Sequence, residues 1–388
     1  MAVAPHSPQH VALVMLAPYA SGAEHQTLAL CRYLRERCRV SLLLNDELAA
    51  LLRTDAFLRE YTTPLKIEAI GAAFPAEPAR TPAGALRRTA LYPQLQVRLA
   101  RALRRVRPDV VHLVLAPSFF AYLPLFRLLR FSTVLTLAGE MRYVRHFYAA
   151  PKRLAVRAAV RLADGLIACS EDELRNLRAV EPAHAARAVV LDNFTDVARW
   201  RPGVKEPQLV SYAARLHPEK GPLLFVEAAA KVARTHPNAR FALFGKGGLE
   251  REVSAQIAAL GLDQRMERGF TTDLAPHFAR STVFVSCQLH ENLGSSSLLE
   301  AMASGNAVVA TEVGETRRIV DEEVGVRVGV SAEALAQGIE RLLDDPEGTA
   351  LKGAMARERV LERYGPEKYV SGLMEVYARV LQARSRAG

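Results

Sequence analysis

Residues 283 to 310 read VFVSCQLHENLGSSSLLEAMASGNAVVA: an apolar β-branched run, a turn rich in Gly and Ser, a helix that ends near Gly305, and a second apolar run. Val283 to Ser286 and Ala307 to Ala310 each have the continuous apolar character of a buried strand. A helix between two such strands is a crossover unit, with parallel strands covered on both faces. The helix start at Ser295 to Ser297 presents backbone N–H groups without partners inside the helix, and the positive end of the helix dipole lies behind them. Together they suit a phosphate. Leu298, Leu299, Ala301 and Met302 form an apolar face, so Glu300 stands out as a carboxylate in a closely packing segment. Ordinary serine capping beside a solvated glutamate accounts for the same residues.

The same alternation extends in both directions. Upstream, strands are expected at Val11 to Leu16, Val40 to Leu44, Val110 to Leu115, Thr133 to Leu137, Leu166 to Cys169 and Val189 to Leu191, with helical segments between them. Phe194 to Pro207, FTDVARWRPGVKEP, is polar with two Pro and a Gly, as a linker tends to be. The pattern then restarts at Leu209 to Tyr212, Phe241 to Phe244, Val283 to Ser286, Ala307 to Ala310 and Val326 to Val328. Amphipathic helices are expected at Pro222 to Thr235, Leu249 to Leu260 and Ala332 to Asp344. The expected fold is therefore α/β, two doubly wound Rossmann-like domains facing across a cleft, with ligands at the carboxyl ends of the strands. The chain has 388 residues, more than one hydrophobic core usually supports. The expected boundary falls near residue 200.

Three further segments fall where such a site is built. Ser211 to Gly221, SYAARLHPEKG, puts Arg215 and Lys220 at the end of a strand and on the loop beyond it. Arg offers a planar fork and Lys a point charge, and the pair suits a diphosphate. Surface cations read the same way when taken alone. Phe244 to Glu250, FGKGGLE, turns through Gly245 into a helix but lacks the last glycine of a dinucleotide fingerprint. Pro18 to Glu24, PYASGAE, follows the first strand, and Gly22 allows close approach of backbone to a ligand there.

Several classes are disfavoured. Cys31, Cys38, Cys169 and Cys287 form no C-x-x-C pair and have no His at ligand spacing, so reduced structural thiols are expected rather than zinc or disulfides. No D-x-D signature occupies a strand end, so no metal site is assigned, and no G-x-S-x-G elbow appears. Val11 to Ala17 lacks the preceding Lys or Arg of a signal peptide, and no run reaches the length of a membrane span. A cytoplasmic protein is expected.

Taken in order, these pieces resemble the retaining glycosyltransferases of the GT-B fold, specifically family 4, also described as glycosyl transferases group 1. The resemblance runs from PYASGAE through ARLHPEKG and FALFGKGGLE to HENLGSSSLLEAMASGNAVV, and the tail YGPEKYVSGLMEVYARVL is similar to the family's last helices. It implies an acceptor-binding domain over residues 1–200, a nucleotide-sugar donor domain over 201–363, and a helix over 364–388 crossing back to the first domain. It further implies that Arg215 and Lys220 hold the donor diphosphate, that Glu300 accepts hydrogen bonds from ribose hydroxyls, and that Gly22 approaches the phosphates. Gly245, Gly269, Phe270, Gly294, Ser295 and Ser296 complete the implied donor set, with Gly269 and Phe270 in the stretch that contacts the base. No metal or other cofactor is implied.

The sequence departs from the family in three places. The family's two glutamates are separated by seven residues, whereas Glu291 and Glu300 are separated by eight and Asn292 stands in strict register. Either Glu291 sits beyond a one-residue insertion, or Asn292 makes the sugar contact. Ala138 in TLAGE occupies the position where the family often has His, which leaves Glu140 and His146 as acceptor-side candidates. Ser21 replaces the first glycine of the N-terminal Gly-Gly loop.

Charge is one-sided. Residues 1 to 200 carry 27 Lys and Arg against 17 Asp and Glu, which accounts for the whole net charge of +10, because residues 201 to 388 carry 24 of each. Leu86 to Arg107 is a basic amphipathic helix: Arg87, Arg88, Arg98, Arg101, Arg104, Arg105 and Arg107 flank a stripe of Leu91, Leu95, Leu99, Leu103 and Val106. Arg142, Arg145, Lys152, Arg153, Arg157 and Arg161, with Phe147 and Tyr148, form a second cluster. Anionic lipid headgroups or an acidic acceptor suit both, and so does a solvated helix whose stripe faces its own sheet. Nucleic acid is not expected, because no recognisable module interleaves these cations with stacking aromatics. The expected function is transfer of a hexose-type sugar from a nucleotide sugar to a glycan or lipid-linked acceptor in surface polysaccharide synthesis, at the inner face of a membrane. A GT-B module that binds without transfer, or a sugar-nucleotide epimerase, are the alternatives.

Overall fold

The computed structural model describes residues 7–17, 22–55, 58–59, 66–72, 82–114, 116–292 and 294–387. The chain divides into two compact units, Met1–Asp192 with Glu367–Gly388, and Asn193–Pro366.

The described strands of the first unit are β1 (His10–Met15), β2 (Arg39–Leu44), β3 (Lys66–Ala69), β4 (Val110–Leu113), β5 (Ser132–Leu137), β6 (Gly165–Ala168) and β7 (Ala188–Val190). They pair in the order β3-β2-β1-β4-β5-β6-β7, all parallel. The second unit has β8 (Leu209–Ala213), β9 (Arg240–Phe244), β10 (Met266–Gly269), β11 (Val283–Ser286), β12 (Ala307–Thr311) and β13 (Gly325–Val328). Their order is β10-β9-β8-β11-β12-β13, again all parallel. Both are Rossmann-like sheets. In each, the winding reverses where the first strand meets the fourth, β1 beside β4 and β8 beside β11, and that reversal leaves room for a ligand at the carboxyl edge.

Continuous apolar runs form these central strands because helices cover both sheet faces. β1, β4, β6, β8 and β12 are buried along their whole length. The helix Pro222–Thr235 begins with Pro at its first position, where a missing N–H costs nothing, and buries Phe225, Val226, Ala228, Ala229 and Val232 against its sheet. Ser170, Ser331 and Asp345 cap three other helices by accepting from the N–H three residues on.

The helix Pro366–Ala387 returns to the first unit through a buried polar chain. Tyr377 Oη lies 2.7 Å from His112 Nδ1, and His112 Nε2 lies 2.7 Å from Thr136 Oγ1. Burial lowers the His112 pKa to about 3, so the ring is neutral and one of its nitrogens donates while the other accepts.

One expectation needs correction, and one alternative left open by the sequence is decided. The stretch Phe194 to Pro207 is not a loose linker but the opening segment of the second unit. Phe194 and Trp200 are buried, Thr195 N–H donates to the Tyr364 carbonyl, and Gly203 and Glu206 N–H donate to the carbonyls of Ala279 and Arg280. Two aromatics within a polar run are enough to fasten it down. In the basic helix, which spans Pro82–Val106 with Pro93 inside it, Leu95, Leu99, Leu103 and Val106 join the first unit's core. The stripe faces its own sheet, and Arg98, Arg101, Arg104, Arg105 and Arg107 remain exposed. The side chains of Arg87 and Arg88 lie outside the described residues.

Candidate functional site

In the second unit, parallel strands deliver their carboxyl ends to one edge, and the loops there carry the cations, glycines and carboxylates singled out in the sequence. Arg215 is exposed two residues beyond β8. Lys220 ends a short turn, Pro218–Lys220, and its Nζ donates to Gln288 Oε1 at 2.9 Å. Gln288 is buried just past β11, so this bond joins the two loops at the reversal of the sheet. Leu289 N–H to the Glu219 carbonyl at 3.0 Å makes a second tie.

Close backbone approach fixes these loops. Gly221 has φ +65°, and a Cβ there would lie 2.2 Å from the Cys287 carbonyl oxygen. Cys287 Sγ in turn donates to the Gly221 carbonyl at 3.2 Å, and burial pushes this thiol up to about 12. A Cβ on Gly245 would lie 2.1 Å from the Ala214 carbonyl oxygen. The loop after β9 therefore presses on the loop after β8, with Leu216 N–H donating to the Lys246 carbonyl at 3.0 Å. Gly245 N–H also donates to the Gly269 carbonyl, and beyond Gly269 the ring of Phe270 is 60% exposed with Lys246 Nζ 5.8 Å from its centre. An uncovered aromatic face beside a cation is a platform for a planar ring.

The loop after β11 is built around Asn292, which is buried. Its Oδ1 accepts from Gly294 and Ser295 N–H at 3.1 and 2.9 Å, and its Nδ2 donates to Thr316 Oγ1 at 3.1 Å. Its carbonyl accepts from Glu315 N–H at 2.7 Å. This corrects the alternative in which Asn292 contacts sugar, since its amide is occupied in shaping the turn before the helix. Glu291 stands beside it, half-buried. Gly294 takes φ +78°, and its carbonyl accepts from Asn193 Nδ2 at 2.8 Å.

The helix then runs Ser296–Ala303 with no side-chain cap: Ser295 Oγ lies 3.1 Å from Ser297 Oγ instead of turning onto the helix N–H groups. Glu300 sits one turn in and keeps a partly exposed edge. Burial pushes its carboxyl up to about 8, against a lowering by Arg199. Arg199 is shared with Asp273, 2.8 Å from its Nη2.

Among the expected residues, Arg215, Lys220, Gly245, Gly269, Phe270, Glu291, Asn292, Gly294, Ser295, Ser296 and Glu300 thus lie on the carboxyl-edge loops of one sheet and the helix they lead into. Gln288, Lys246 and Arg199 share that edge and went unnoticed in the sequence, where nothing in the local pattern sets them apart.

Gly22, Glu140 and His146 belong to the first unit. Gly22 opens the helix Gly22–Leu34 and is exposed, whereas Pro18 to Ser21 lie outside the described residues. Gly139, at φ 108°, turns the chain out of β5 so that the buried Glu140 carboxylate accepts from Ala138 N–H. The same carboxylate, after burial itself, raises the Tyr148 phenol pKa. His146 is exposed and lies edge-on to Phe147.

The family description "Glycosyltransferase Family 4" matches residues 20–199, and "Glycosyl transferases group 1" matches residues 195–359. The chain is 28% identical over 259 residues to the alpha-maltose-1-phosphate synthase of Mycolicibacterium smegmatis, covering 58% of this chain and 65% of that protein. It is 29% identical to the alpha-D-kanosaminyltransferase of Streptomyces kanamyceticus, over 55% of this chain and 57% of that one. It is 28% identical to the lipopolysaccharide core biosynthesis mannosyltransferase LpcC of Rhizobium leguminosarum, over 57% and 66%. The matches thus span about three fifths of those relatives' lengths. In fold, the chain is similar to sucrose-phosphate synthase from Thermosynechococcus elongatus, with a TM-score of 0.79 at 20% identity over 97% of this chain and all of that one. It is also similar to HepE of Anabaena in complex with UDP and glucose, with a TM-score of 0.75 at 20% identity over 94% and 98%.

Proposed function

The chain belongs to the family 4 glycosyltransferases of GT-B fold, and from that premise we propose that it moves a hexose-type sugar from a nucleoside diphosphate to a glycan or lipid-linked acceptor, with retention at the anomeric carbon. The observation that carries this proposal is the junction of Arg215, Lys220 and the uncapped helix start at Ser296 on one sheet edge.

When the glycosidic bond to the diphosphate breaks, negative charge develops on the departing phosphate oxygens. Groups already held in place stabilise that charge without reorganising. Arg215 offers two parallel donors, Lys220 a point charge, and Ser296 and Ser297 backbone N–H groups backed by the helix dipole. The proposal assigns this neutralisation to the chain's own groups and invokes no metal ion. Glu300 accepts from the ribose hydroxyls, Phe270 stacks on the base, and Glu291 reaches the donor sugar. Front-face attack by the acceptor hydroxyl, whose proton passes to the departing phosphate oxygen as the bond from that oxygen to the anomeric carbon breaks, retains configuration, so no protein nucleophile is assigned. Glu140 and His146 are the acceptor-side candidates. Because a charged nucleotide sugar does not cross a bilayer unaided, the proposed location is the cytoplasmic side, against the membrane, in surface polysaccharide synthesis.

A second reading is favoured by Ala138, whose methyl group carries none of the chemistry of the histidine common at that position in the family: a module that binds a nucleotide sugar without transferring it. Calorimetry with UDP, GDP, ADP and their sugar conjugates tests the donor site, and Glu300→Ala and Lys220→Ala are expected to abolish binding or transfer with the fold intact. Full activity in both variants sinks the proposal. Donor hydrolysis or transfer by the purified protein removes the binding-only reading, and the anomeric configuration of the product decides retention.

A further inference from the structure

Every residue from Arg145 to Leu154 except Tyr148 is exposed. The stretch joins the helices Glu140–His146 and Ala150–Leu162 and puts two large apolar side chains in water, Phe147 at 59% and Leu154 at 62% exposure. No Asp or Glu occurs from Met141 to Ala163, where the chain carries Arg142, Arg145, Lys152, Arg153, Arg157 and Arg161. Arg157 and Arg161 are each paired with the buried Glu181. The others lie nearer the surface stretch: Arg142 sits 5.3 Å from the centre of the Phe147 ring, and Lys152 Nζ sits 3.9 Å from that of Tyr148.

Lys152 and Arg153 occupy the first turn of the helix Ala150–Leu162, which carries no acid there. Cations at the positive end of a helix dipole repel it, and an anion on their outer side relieves that repulsion. The same helix buries Val156, Ala159 and Val160 in the core, so its exposed first turn is fixed in orientation. The basic helix Pro82–Val106 differs, because its apolar stripe is already inside the first unit.

Resting on the proposed lipid-linked or membrane-facing acceptor, we infer that Arg145–Leu154 docks on an anionic lipid bilayer, with Phe147 and Leu154 entering the headgroup layer and Arg145, Lys152 and Arg153 on lipid phosphates. Charge complementarity selects this occupant: a soluble anion uses the cations but leaves both apolar side chains in water, whereas a bilayer takes both.

Flotation of the full chain with vesicles of phosphatidylcholine and phosphatidylglycerol in equal parts, and of phosphatidylcholine alone, tests the inference at low and high salt. Binding is expected to the mixed vesicles alone and to weaken with salt. Phe147→Ser with Leu154→Ser is expected to lower it at least about tenfold, and Arg153→Glu to lower it at low salt, both with an unchanged thermal midpoint. Failure of the parent chain to float with anionic vesicles overturns the inference. So does a double variant that floats like the parent, or a lipid-free dimer that the double variant turns into monomer, since the face then belongs to a second copy. Binding of nucleoside diphosphates is measured alongside: its absence counts against the donor site, while flotation reports the surface separately.

Discussion

Lys220 Nζ donates to the buried Gln288 Oε1 at 2.9 Å, joining the loop after β8 to the loop after β11 where the winding of the second sheet reverses. The amide holds the ammonium on the edge where the proposed diphosphate lies, so its contribution is to pre-organisation. Hydrogen bonds to charged groups contribute about 1.5 to 3 kcal/mol. Gln288→Leu is therefore expected to lower the thermal midpoint by a few degrees and to weaken nucleoside diphosphate binding by about tenfold. Titration calorimetry checks this, and an unchanged Kd removes Gln288 from the site.

The Glu300 carboxyl, raised to about 8 by burial, makes donor binding depend on pH. Hydroxyl donors favour the ionised form, so affinity for a nucleoside diphosphate is expected to rise as pH climbs toward and past 8 and to fall on acidification to 6. Stability of the unliganded protein runs the opposite way. A folded pKa above the unfolded value of about 4.3 means that the folded state binds more protons between those limits, so stability falls as pH rises through that window. Glu300→Gln is expected to flatten both curves and raise the thermal midpoint more at pH 8 than at pH 5. Parallel pH profiles for variant and parent count against this account.

Gly221→Ala forces a methyl group to within 2.2 Å of the Cys287 carbonyl oxygen at a backbone angle of φ +65°. Left-handed geometry alone costs an L-residue about 1 to 2 kcal/mol, and the contact adds displacement of the loop after β11. The expected result is a thermal midpoint lowered by several degrees together with weaker donor binding. Gly248→Ala, whose Cβ meets nothing within 4 Å, is the control and is expected to change neither.

Most strands were legible because parallel sheets covered on both faces need continuous apolar runs. The two that were not, β3 (KIEA) and β10 (MERG), are the strands at one edge of each sheet, and each carries charge past its first residue, whereas the interior strands β2 and β9 carry theirs only at the first residue. The donor edge was legible in its glycines and cations, since these residue types reflect local geometry and charge. Gln288 and Arg199 were not, because their roles depend on which loops the sheet order brings together. Asn292 shows the limit of register: its place in the motif suggested a ligand contact, while its hydrogen bonds make it the residue that shapes the turn.

The chain Tyr377–His112–Thr136 gives the first unit a distinct acid response. The His112 pKa is lowered by burial to about 3, below the unfolded value of about 6.5, so the unfolded state binds the extra proton between these limits. Stability then rises with pH across that window and is lost on acidification through it, with a slope of about 1.4 kcal/mol per pH unit for one proton. Tyr377→Phe removes the partner of His112 Nδ1 but leaves the ring buried, and is expected to cost about 1 to 3 kcal/mol at pH 7. His112→Phe is expected to remove that single-proton slope, so that urea midpoints of the variant change less between pH 6.5 and pH 4 than those of the parent. Equal changes in both proteins show that carboxylates elsewhere govern acid unfolding and that His112 serves only to pack the returning helix.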